Sequence, residues 1–197
     1  KKNIKNFIQI GSSMEYGNSR SPHNERSACK PKGNYGLAKF KASKYLQKIG
    51  KRAKMPFTIM RLYQVYGPNQ TINRLIPIVI NSCLKDHNFS CSDGTQIRDF
   101  LYVNDLIELL IKVIKKKPNN EIYNVGAGNK LKVKMVIDTI NDIIKLGNPQ
   151  FGKIKMRKDE MKNNYPDISK IKKYYNWSPK TNIKLGLKKT ISFYENK

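Results

Sequence analysis

Residue types that could form a proton-transfer device lie close together near the start of the chain. Ser12 and Ser13 follow the apolar run "IKNFIQI", and Tyr35 and Lys39 lie four residues apart in "NYGLAKFKASKYL". On a helix that spacing places the phenol and the ammonium on one face. A free tyrosine is a poor base at neutral pH, but a nearby positive charge favours the phenolate, and a serine hydroxyl can relay the proton. The set predicts acid–base chemistry at a substrate oxygen, although Tyr-x-x-x-Lys alone also occurs by chance on helices.

The elements that must position these residues alternate between strands and helices. Residues 4–10 and the segment "FTIMRLYQVYG" are typical of strands buried on both faces, and residues 34–51 have the apolar spacing of a helix. The segment "FSCSDGTQIRDFLYV" predicts two short strands around an Asp93-Gly94 turn, and Asn104 can cap the helix that follows. This alternation indicates an α/β fold with a parallel sheet, and the region after residue 68 resembles a smaller α+β lobe.

Composition and charge narrow the function classes. The 197 residues include 39 Lys+Arg against 14 Asp+Glu, a formal net charge of +25. Such an excess can mark a nucleic-acid binder, but these lysines are spread along the whole chain, so we expect no specific nucleic-acid partner. A basic cleft would instead suit an anionic, phosphate-bearing small substrate. No apolar run approaches a membrane span, and three scattered cysteines without a C-x-x-C pair indicate a cytoplasmic protein without a metal site.

An ordered set of motifs carries a resemblance to a known family. The motifs are "IQIGSSMEYG", "NYGLAK", "FTIMRLYQVYGPNQ", "GTQIRDFLYVNDL", "EIYNVGAG" and "YNWSPKTNIKLGLKKTI". Together they resemble the extended short-chain dehydrogenase/reductases of the NAD-dependent epimerase/dehydratase family, which act on nucleotide sugars. The resemblance implies the C-terminal part of a Rossmann-type parallel sheet plus a smaller α+β substrate-binding lobe. Residues 1–68 would hold the remaining dinucleotide-binding sheet, and residues 69–197 mainly the nucleotide-sugar lobe, with 98–115 and 121–126 returning to the sheet.

The resemblance also implies roles for individual residues. Tyr35 would be the acid/base for a sugar hydroxyl or ketone, within a catalytic set that also contacts the NAD or NADP cofactor. Other residues would bind the cofactor or the nucleotide-diphosphate sugar. Among them, Arg98 and Arg157 would contact the diphosphate or the ribose. The catalytic residues are Ser12, Tyr35 and Lys39; the further cofactor-binding residues are Tyr63 and Val65; the substrate-binding residues are Ser13, Gln64, Arg98 and Arg157.

Two departures from the family pattern favour some activities over others. The family's 4,6-dehydratases carry an Asp-Glu pair where this chain has Ser13 and Met14, and methionine cannot protonate a departing hydroxyl. Glu15 comes one place later, where a strand would point it to the other side. Gln64 stands where the family usually has asparagine, which leaves that substrate contact open. The resemblance therefore implies an epimerase or 4-keto-sugar reductase, with a decarboxylase or dehydratase as the alternative.

The glycine-rich turn with which the family binds the cofactor pyrophosphate does not occur in this sequence. The chain has neither G-x-x-G-x-x-G nor G-x-G-x-x-G, and Gly126-x-Gly128 is better interpreted as a loop at a strand end. We therefore expect the C-terminal portion of an enzyme, inactive alone and a homodimer when complete. Two other classes stay open: a non-catalytic nucleotide-sugar-binding remnant and a basic nucleic-acid-associated module.

Overall fold

The computed structural model describes residues 4–156 and 160–196. A three-residue 3-10 turn, Ser13–Glu15, follows the first strand. The other elements are β1 (Phe7–Ser12), α1 (Gly33–Arg52), β2 (Phe57–Leu62), β3 (Gln64–Tyr66), α2 (Leu75–Leu84), β4 (Asn88–Ser90), β5 (Ile97–Arg98), β6 (Phe100–Tyr102), α3 (Val103–Lys115), β7 (Glu121–Val125), β8 (Leu131–Lys132), α4 (Val133–Ile144), β9 (Asn148–Gln150), β10 (Asn163–Asn164), α5 (Ser169–Tyr175) and α6 (Ile183–Glu195). No helix within the described ranges is long and apolar enough to cross a membrane.

The central sheet has three parallel strands in the order β1–β2–β7. Ser12 lies opposite Leu62, and Leu62 lies opposite Val125, so the carboxyl ends of the three strands are level. β1 forms one edge of this sheet. Its Phe7 and Ile10, which point to opposite faces, are 46% and 41% exposed. The predicted α/β fold with a parallel sheet is confirmed. Residues 4–10 are not buried on both faces as expected, because β1 lies at the edge of the sheet, where no strand among the described residues pairs with its outer side.

Helices cover both faces of the sheet beside β2. Phe57 and Ile59 point to the face that α1 covers, where they pack with Leu46. Met60 and Tyr123 point to the other face and pack with buried residues of α3 and α5. Because both faces are covered, the strand needs apolar residues at consecutive positions rather than alternating ones. Four of the six residues of β2 are apolar for this reason, and the other two, Thr58 and Arg61, are buried polar residues.

A second core lies in the lobe beyond residue 68. Helices α2, α4 and α6 pack together through residues such as Ile80, Ile137 and Leu187, each of which is 2% exposed or less. Short strand pairs border this core: β3 with β6, β4 with β9, and β5 between β10 and β8. The lobe is therefore a mixed α+β structure that is continuous with the sheet through β3 and β6.

Three local expectations were wrong in detail. The segment "FTIMRLYQVYG" forms two strands, because the backbone N–H of Tyr63 bonds to Val125 in the sheet while that of Gln64 bonds to Asp99. The turn at Gly94 does not join a hairpin, since β4 pairs in parallel with β9, a partner sixty residues away in the chain. Helix α3 begins at Val103 without a side-chain cap, so Asn104 lies inside the helix rather than at its cap.

Candidate active site

A cleft of about 450 Å³ lies at the carboxyl ends of β1 and β2. This is where ligands bind in open parallel α/β sheets. The cleft brings together six of the nine residues predicted from the sequence: Ser12, Ser13, Tyr35, Tyr63, Gln64 and Val65. The strand ends, the first turn of α1 and the β2–β3 junction therefore converge on one concave surface.

Ser12 is held at the end of β1 by a reciprocal cap on the 3-10 turn. Its Oγ accepts a hydrogen bond from the backbone N–H of Met14 at 3.2 Å, while its own N–H donates to Oε1 of Glu15 at 3.0 Å. This is a capping box, which fixes both the backbone and the side chain of the capping serine. The Ser12 hydroxyl proton takes no part in the cap and stays available to a ligand.

Tyr35 enters the cleft from the first turn of α1. Gly36 allows this approach, because a Cβ there would lie 2.7 Å from the carbonyl oxygen of Met14. The Tyr35 ring is 60% exposed, so its hydroxyl is accessible to a ligand. Lys39, one turn further on, donates from Nζ to the carbonyl of Ile10 at 2.9 Å, and its Nζ lies 5.8 Å from the centre of the Tyr35 ring. The phenol thus lines the cleft, whereas the ammonium of Lys39 lies outside the lining and is bound to the backbone of β1.

The opposite wall of the cleft is the junction of β2 and β3. Tyr63 is 5% exposed and its hydroxyl donates to Nδ1 of His23 at 3.0 Å. The carbonyl of Val65 accepts from Nε2 of Gln70 at 2.8 Å. Gln64 lies between them with an exposed side chain in the lining. The backbone of this wall is therefore fixed, while the amide of Gln64 is free to meet a ligand.

Arg98 lies outside the lining of this cleft and is engaged within the protein. Its guanidinium forms an ion pair with Glu160 and donates to the carbonyl of Ile97 at 2.8 Å. The Arg98 side chain is 8% exposed and that of Glu160 is 30% exposed. Arg157, the other arginine predicted at the diphosphate, lies outside the described residues. A ligand phosphate that binds Arg98 would have to share its guanidinium with the Glu160 carboxylate or displace that carboxylate.

The structure has a second, more apolar pocket of about 280 Å³. Arg74 lines the cleft and the next residue, Leu75, lines the pocket, so both spaces reach the start of α2, although they share no lining residue. Phe89 and Met156 supply apolar walls, and Glu160 stands at the same pocket as the partner of Arg98. A polar cleft lined by Arg74 and an apolar pocket whose Glu160 binds Arg98 have the division expected for an elongated ligand with a polar end, a charged middle and a flat apolar end.

The fold and this geometry agree with a family model that matches residues 1–126, that of the NAD dependent epimerase/dehydratase family. The chain belongs to that family. Among curated relatives, human dTDP-D-glucose 4,6-dehydratase is 32% identical over 97% of this chain and 57% of its own length. The chain therefore spans little more than half the length of that family member.

Solved structures of family enzymes have the same fold. UDP-glucose 4-epimerase from Thermotoga maritima, determined with UDP-glucose, has a TM-score of 0.92 and 25% identity, covering 98% of this chain and 64% of the enzyme. UDP-glucuronic acid 4-epimerase from Bacillus cereus, determined with UDP-glucuronic acid and NAD, has a TM-score of 0.89 and 27% identity, covering 97% and 62% respectively. The predicted Rossmann-type architecture is confirmed by these likenesses.

The family's dehydratase acids have no counterpart in the cleft. None of the described residues that line it is an aspartate or glutamate. Glu15 is fully buried and turned away from the cleft, with Oε2 at 2.9 Å from Nε of Arg61. Glu15 lies in the 3-10 turn rather than in a strand, so its direction comes from the cap and the ion pair. Ser13 and Met14 are the side chains that face the ligand space instead.

Two polar residues of the cleft, Gln70 and Arg74, were not predicted from the sequence. Arg74 is the one charged side chain among the lining residues that the structure describes. Both lie in "GPNQTINR", a polar segment that connects β3 to α2. The signal was a run of polar residues directly after the strand that ends in the cleft, since loops at strand ends supply most binding residues. The start of α2 is thereby added to the candidate site.

The Gly126–Gly128 loop, interpreted from the sequence as a strand end, binds a carboxylate of the protein itself. The backbone N–H groups of Ala127 and Asn129 donate to Asp99 at 2.7 and 2.8 Å. Burial raises the pKa of Asp99 to about 6, against the opposing effect of these N–H groups. Because Asp99 takes the donors of this loop, the loop has none left in that direction for a cofactor phosphate.

His23 is fully buried behind the wall of the cleft, where it contacts Tyr63 and Tyr16. Its ring is stacked on Tyr16 with centroids 4.5 Å apart, and its Nε2 donates to the carbonyl of Ser19 at 3.0 Å. Burial favours the neutral imidazole, and in that form Nδ1 is left as the acceptor for the hydroxyl of Tyr63. Burial lowers the pKa of His23, and the nearby charge of Arg61 acts in the same direction, while the Ser19 carbonyl opposes them.

We expect the free energy of unfolding to depend on this histidine below neutral pH. The unfolded chain binds a proton on His23 near pH 6.5, whereas the folded chain resists it, so this contribution to stability is present above that pH and is lost as pH falls. A glutamine cannot titrate, so His23→Gln should remove part of the loss between pH 7 and pH 5, measured by urea unfolding. Asp99 acts in the opposite direction but is common to both proteins. Equal pH slopes in the two proteins would contradict a neutral, buried His23.

Proposed function

We propose that this chain carries the nucleotide-sugar-binding and acid–base half of an NAD(P)-dependent epimerase or 4-keto-sugar reductase. The observation that carries the proposal is the cleft that gathers Ser12, Tyr35 and Gln64 at the carboxyl ends of β1 and β2. The family's members named above act on or bind nucleotide sugars, and the net charge of +25 suits an anionic substrate. The sugar would lie in the cleft, the base in the apolar pocket, and the diphosphate between them near Arg74 and Arg98.

The chemistry assigned to the chain's own residues is proton transfer at a sugar oxygen. Tyr35 removes or returns the proton of a hydroxyl, and Ser12 donates a hydrogen bond to the same oxygen. NAD or NADP, when bound, supplies the hydride acceptor or donor. The residues present fit the nicotinamide end of such a cofactor, since an exposed phenol and an ammonium flank the end of β1. Ser12, Tyr35, Lys39, Tyr63 and Val65 would hold that end.

A 4,6-dehydratase is the second candidate, because the human relative that is 32% identical over nearly the whole chain has that name. Loss of a sugar hydroxyl needs an acid to protonate the departing oxygen. The described lining of the cleft offers the hydroxyl of Ser13 and the thioether of Met14 at that place, and neither is a carboxylic acid. The cleft therefore favours an epimerase or reductase over a dehydratase.

We expect Arg98→Ala to weaken binding of a nucleoside diphosphate by about 1.5–3 kcal/mol, as for a hydrogen bond to a charged group. Isothermal calorimetry of the chain with UDP, dTDP, GDP and CDP tests this and identifies the base. Glu160→Gln is the matched control, because it removes the carboxylate that competes for Arg98 and should leave binding equal or tighter. Unaltered affinity in Arg98→Ala, with the fold intact, would assign Arg98 a purely structural role beside Glu160.

The chain alone should bind NAD weakly at best and should not turn over a nucleotide sugar. Tyr35 and Lys39 reach only the nicotinamide end, and the chain has no glycine-rich turn for the pyrophosphate. The unpaired edge of β1, with exposed Phe7 and Ile10, should also cause self-association, because open strand edges pair with other chains. Calorimetry with NAD and analytical ultracentrifugation test both points. A monodisperse monomer that binds NAD at micromolar concentration would overturn this expectation.

A further inference from the structure

A buried amide stands directly behind the cleft at Ser13. Nδ2 of Asn164 donates to Oγ of Ser13 at 3.1 Å, across 151 positions of the chain. Asn164 is 2% exposed and Ser13 is 5% exposed, yet Ser13 lines the cleft and Asn164 does not. The amide therefore contacts the wall of the site from the protein side, where a ligand does not reach.

The backbone holds both members of this pair in place. Asn164 lies in β10, where it is paired with Arg98 of β5. The carbonyl of Ser13 accepts the N–H of Tyr16 within the 3-10 turn. The contact thus joins the turn after β1 to β10, which is paired with β5, the strand that bears the predicted diphosphate arginine.

In this pair the Asn164 amide is the hydrogen-bond donor and the Ser13 hydroxyl is the acceptor. A hydroxyl has one donor and two acceptor positions, and Asn164 occupies an acceptor position of Ser13. Within the described residues, the Ser13 hydroxyl donates to no protein group. The Oδ1 atom of Asn164 is also buried without a partner there, so the amide offers only its donor half to the pair. The Ser13 proton is left to point into the cleft.

We propose that Asn164 is a positioning residue that keeps the Ser13 hydroxyl a hydrogen-bond donor toward the sugar of the ligand. The inference rests on the proposed function, because it takes the cleft as the seat of the sugar. It deepens that function by assigning the sugar an oxygen that accepts a hydrogen bond at Ser13. Nothing in it involves the diphosphate or the base, which lie in other parts of the site.

The test reverses the polarity of the pair. In Asn164→Asp the carboxylate accepts a hydrogen bond from the Ser13 hydroxyl, so that hydroxyl can then only accept a hydrogen bond from the ligand. Calorimetry should show UDP-glucose bound about tenfold more weakly, the size of one hydrogen bond, while UDP changes by less than about twofold. With Ser13→Ala as background, Asn164→Asp should add no further loss for UDP-glucose, because the group through which it acts is gone.

The outcomes separate the inference from the function on which it rests. A wild-type chain that binds neither UDP nor UDP-glucose would refute the proposed function. Binding of both by the wild type, with equal losses for UDP and UDP-glucose in Asn164→Asp or a loss that persists in the Ser13→Ala background, would overturn the role of Asn164 alone. Where Asn164→Asp does not fold, Asn164→Ala replaces it, since it frees the Ser13 hydroxyl to rotate and should weaken UDP-glucose but not UDP.

Discussion

Replacing Tyr35 by phenylalanine in an active enzyme that contains this chain should lower turnover by at least about 100-fold, the low end for one acid/base group. The substitution removes only the oxygen that moves the proton. The ring is 60% exposed at the mouth of the cleft and has no packing role that phenylalanine would lose, so stability should be unchanged. Steady-state kinetics with a nucleotide sugar give the turnover, and calorimetry with the nucleotide shows whether binding is preserved.

Lys39→Met tests the second side chain of the Tyr35–Lys39 pair. It retains a long apolar side chain but loses the ammonium, together with the bond from Nζ to the carbonyl of Ile10. We expect it to lower turnover, because it removes the ammonium that lies 5.8 Å from the centre of the Tyr35 ring and that is proposed to hold the nicotinamide end of the cofactor. Full activity in Tyr35→Phe would remove Tyr35 from the mechanism, and the cleft would then serve binding alone.

Much of the fold and of the cleft could be predicted from local patterns. The segment that forms β2 is mostly apolar because helices cover both faces of the sheet, and strands of that kind can be recognised from the sequence. The serines at the end of β1 and the tyrosine on the next helix reach one cleft because parallel strands end at the same edge. The order of the motifs along the chain predicted the family, which local patterns alone do not identify.

What could not be predicted depends on contacts between distant segments. β4 pairs with β9 across sixty residues, and no turn residue signals that partner. Asn164 reaches Ser13 across 151 positions, and an asparagine before "YPD" has no pattern that distinguishes it from a loop residue. The ion pair between Arg98 and Glu160 could not be predicted either, because the sequence does not show which acidic residue lies beside a given arginine.

The largest effect on stability should come from the buried ion pair beneath Ser12. Arg61 and Glu15 are 3% and 0% exposed, with 2.9 Å between Nε and Oε2. Arg61→Met leaves the Glu15 carboxylate buried without its counter-charge, and breaking a buried pair in this way costs about 3–5 kcal/mol. Urea unfolding at neutral pH should show this loss as a lower midpoint with an unchanged slope.

The double variant Glu15→Gln with Arg61→Met separates the charge from the cap. Glutamine is neutral, so no charge is left unpaired, and its Oε1 can still accept the N–H of Ser12, as Glu15 does at 3.0 Å. The double variant should therefore recover most of the stability that Arg61→Met loses, because replacing both members of a buried pair is often close to neutral. A loss below about 1 kcal/mol in Arg61→Met would instead mean that water reaches the carboxylate. Recovered stability with normal UDP-glucose binding would show that the cap alone, rather than the ion pair, holds Ser12 at the end of β1.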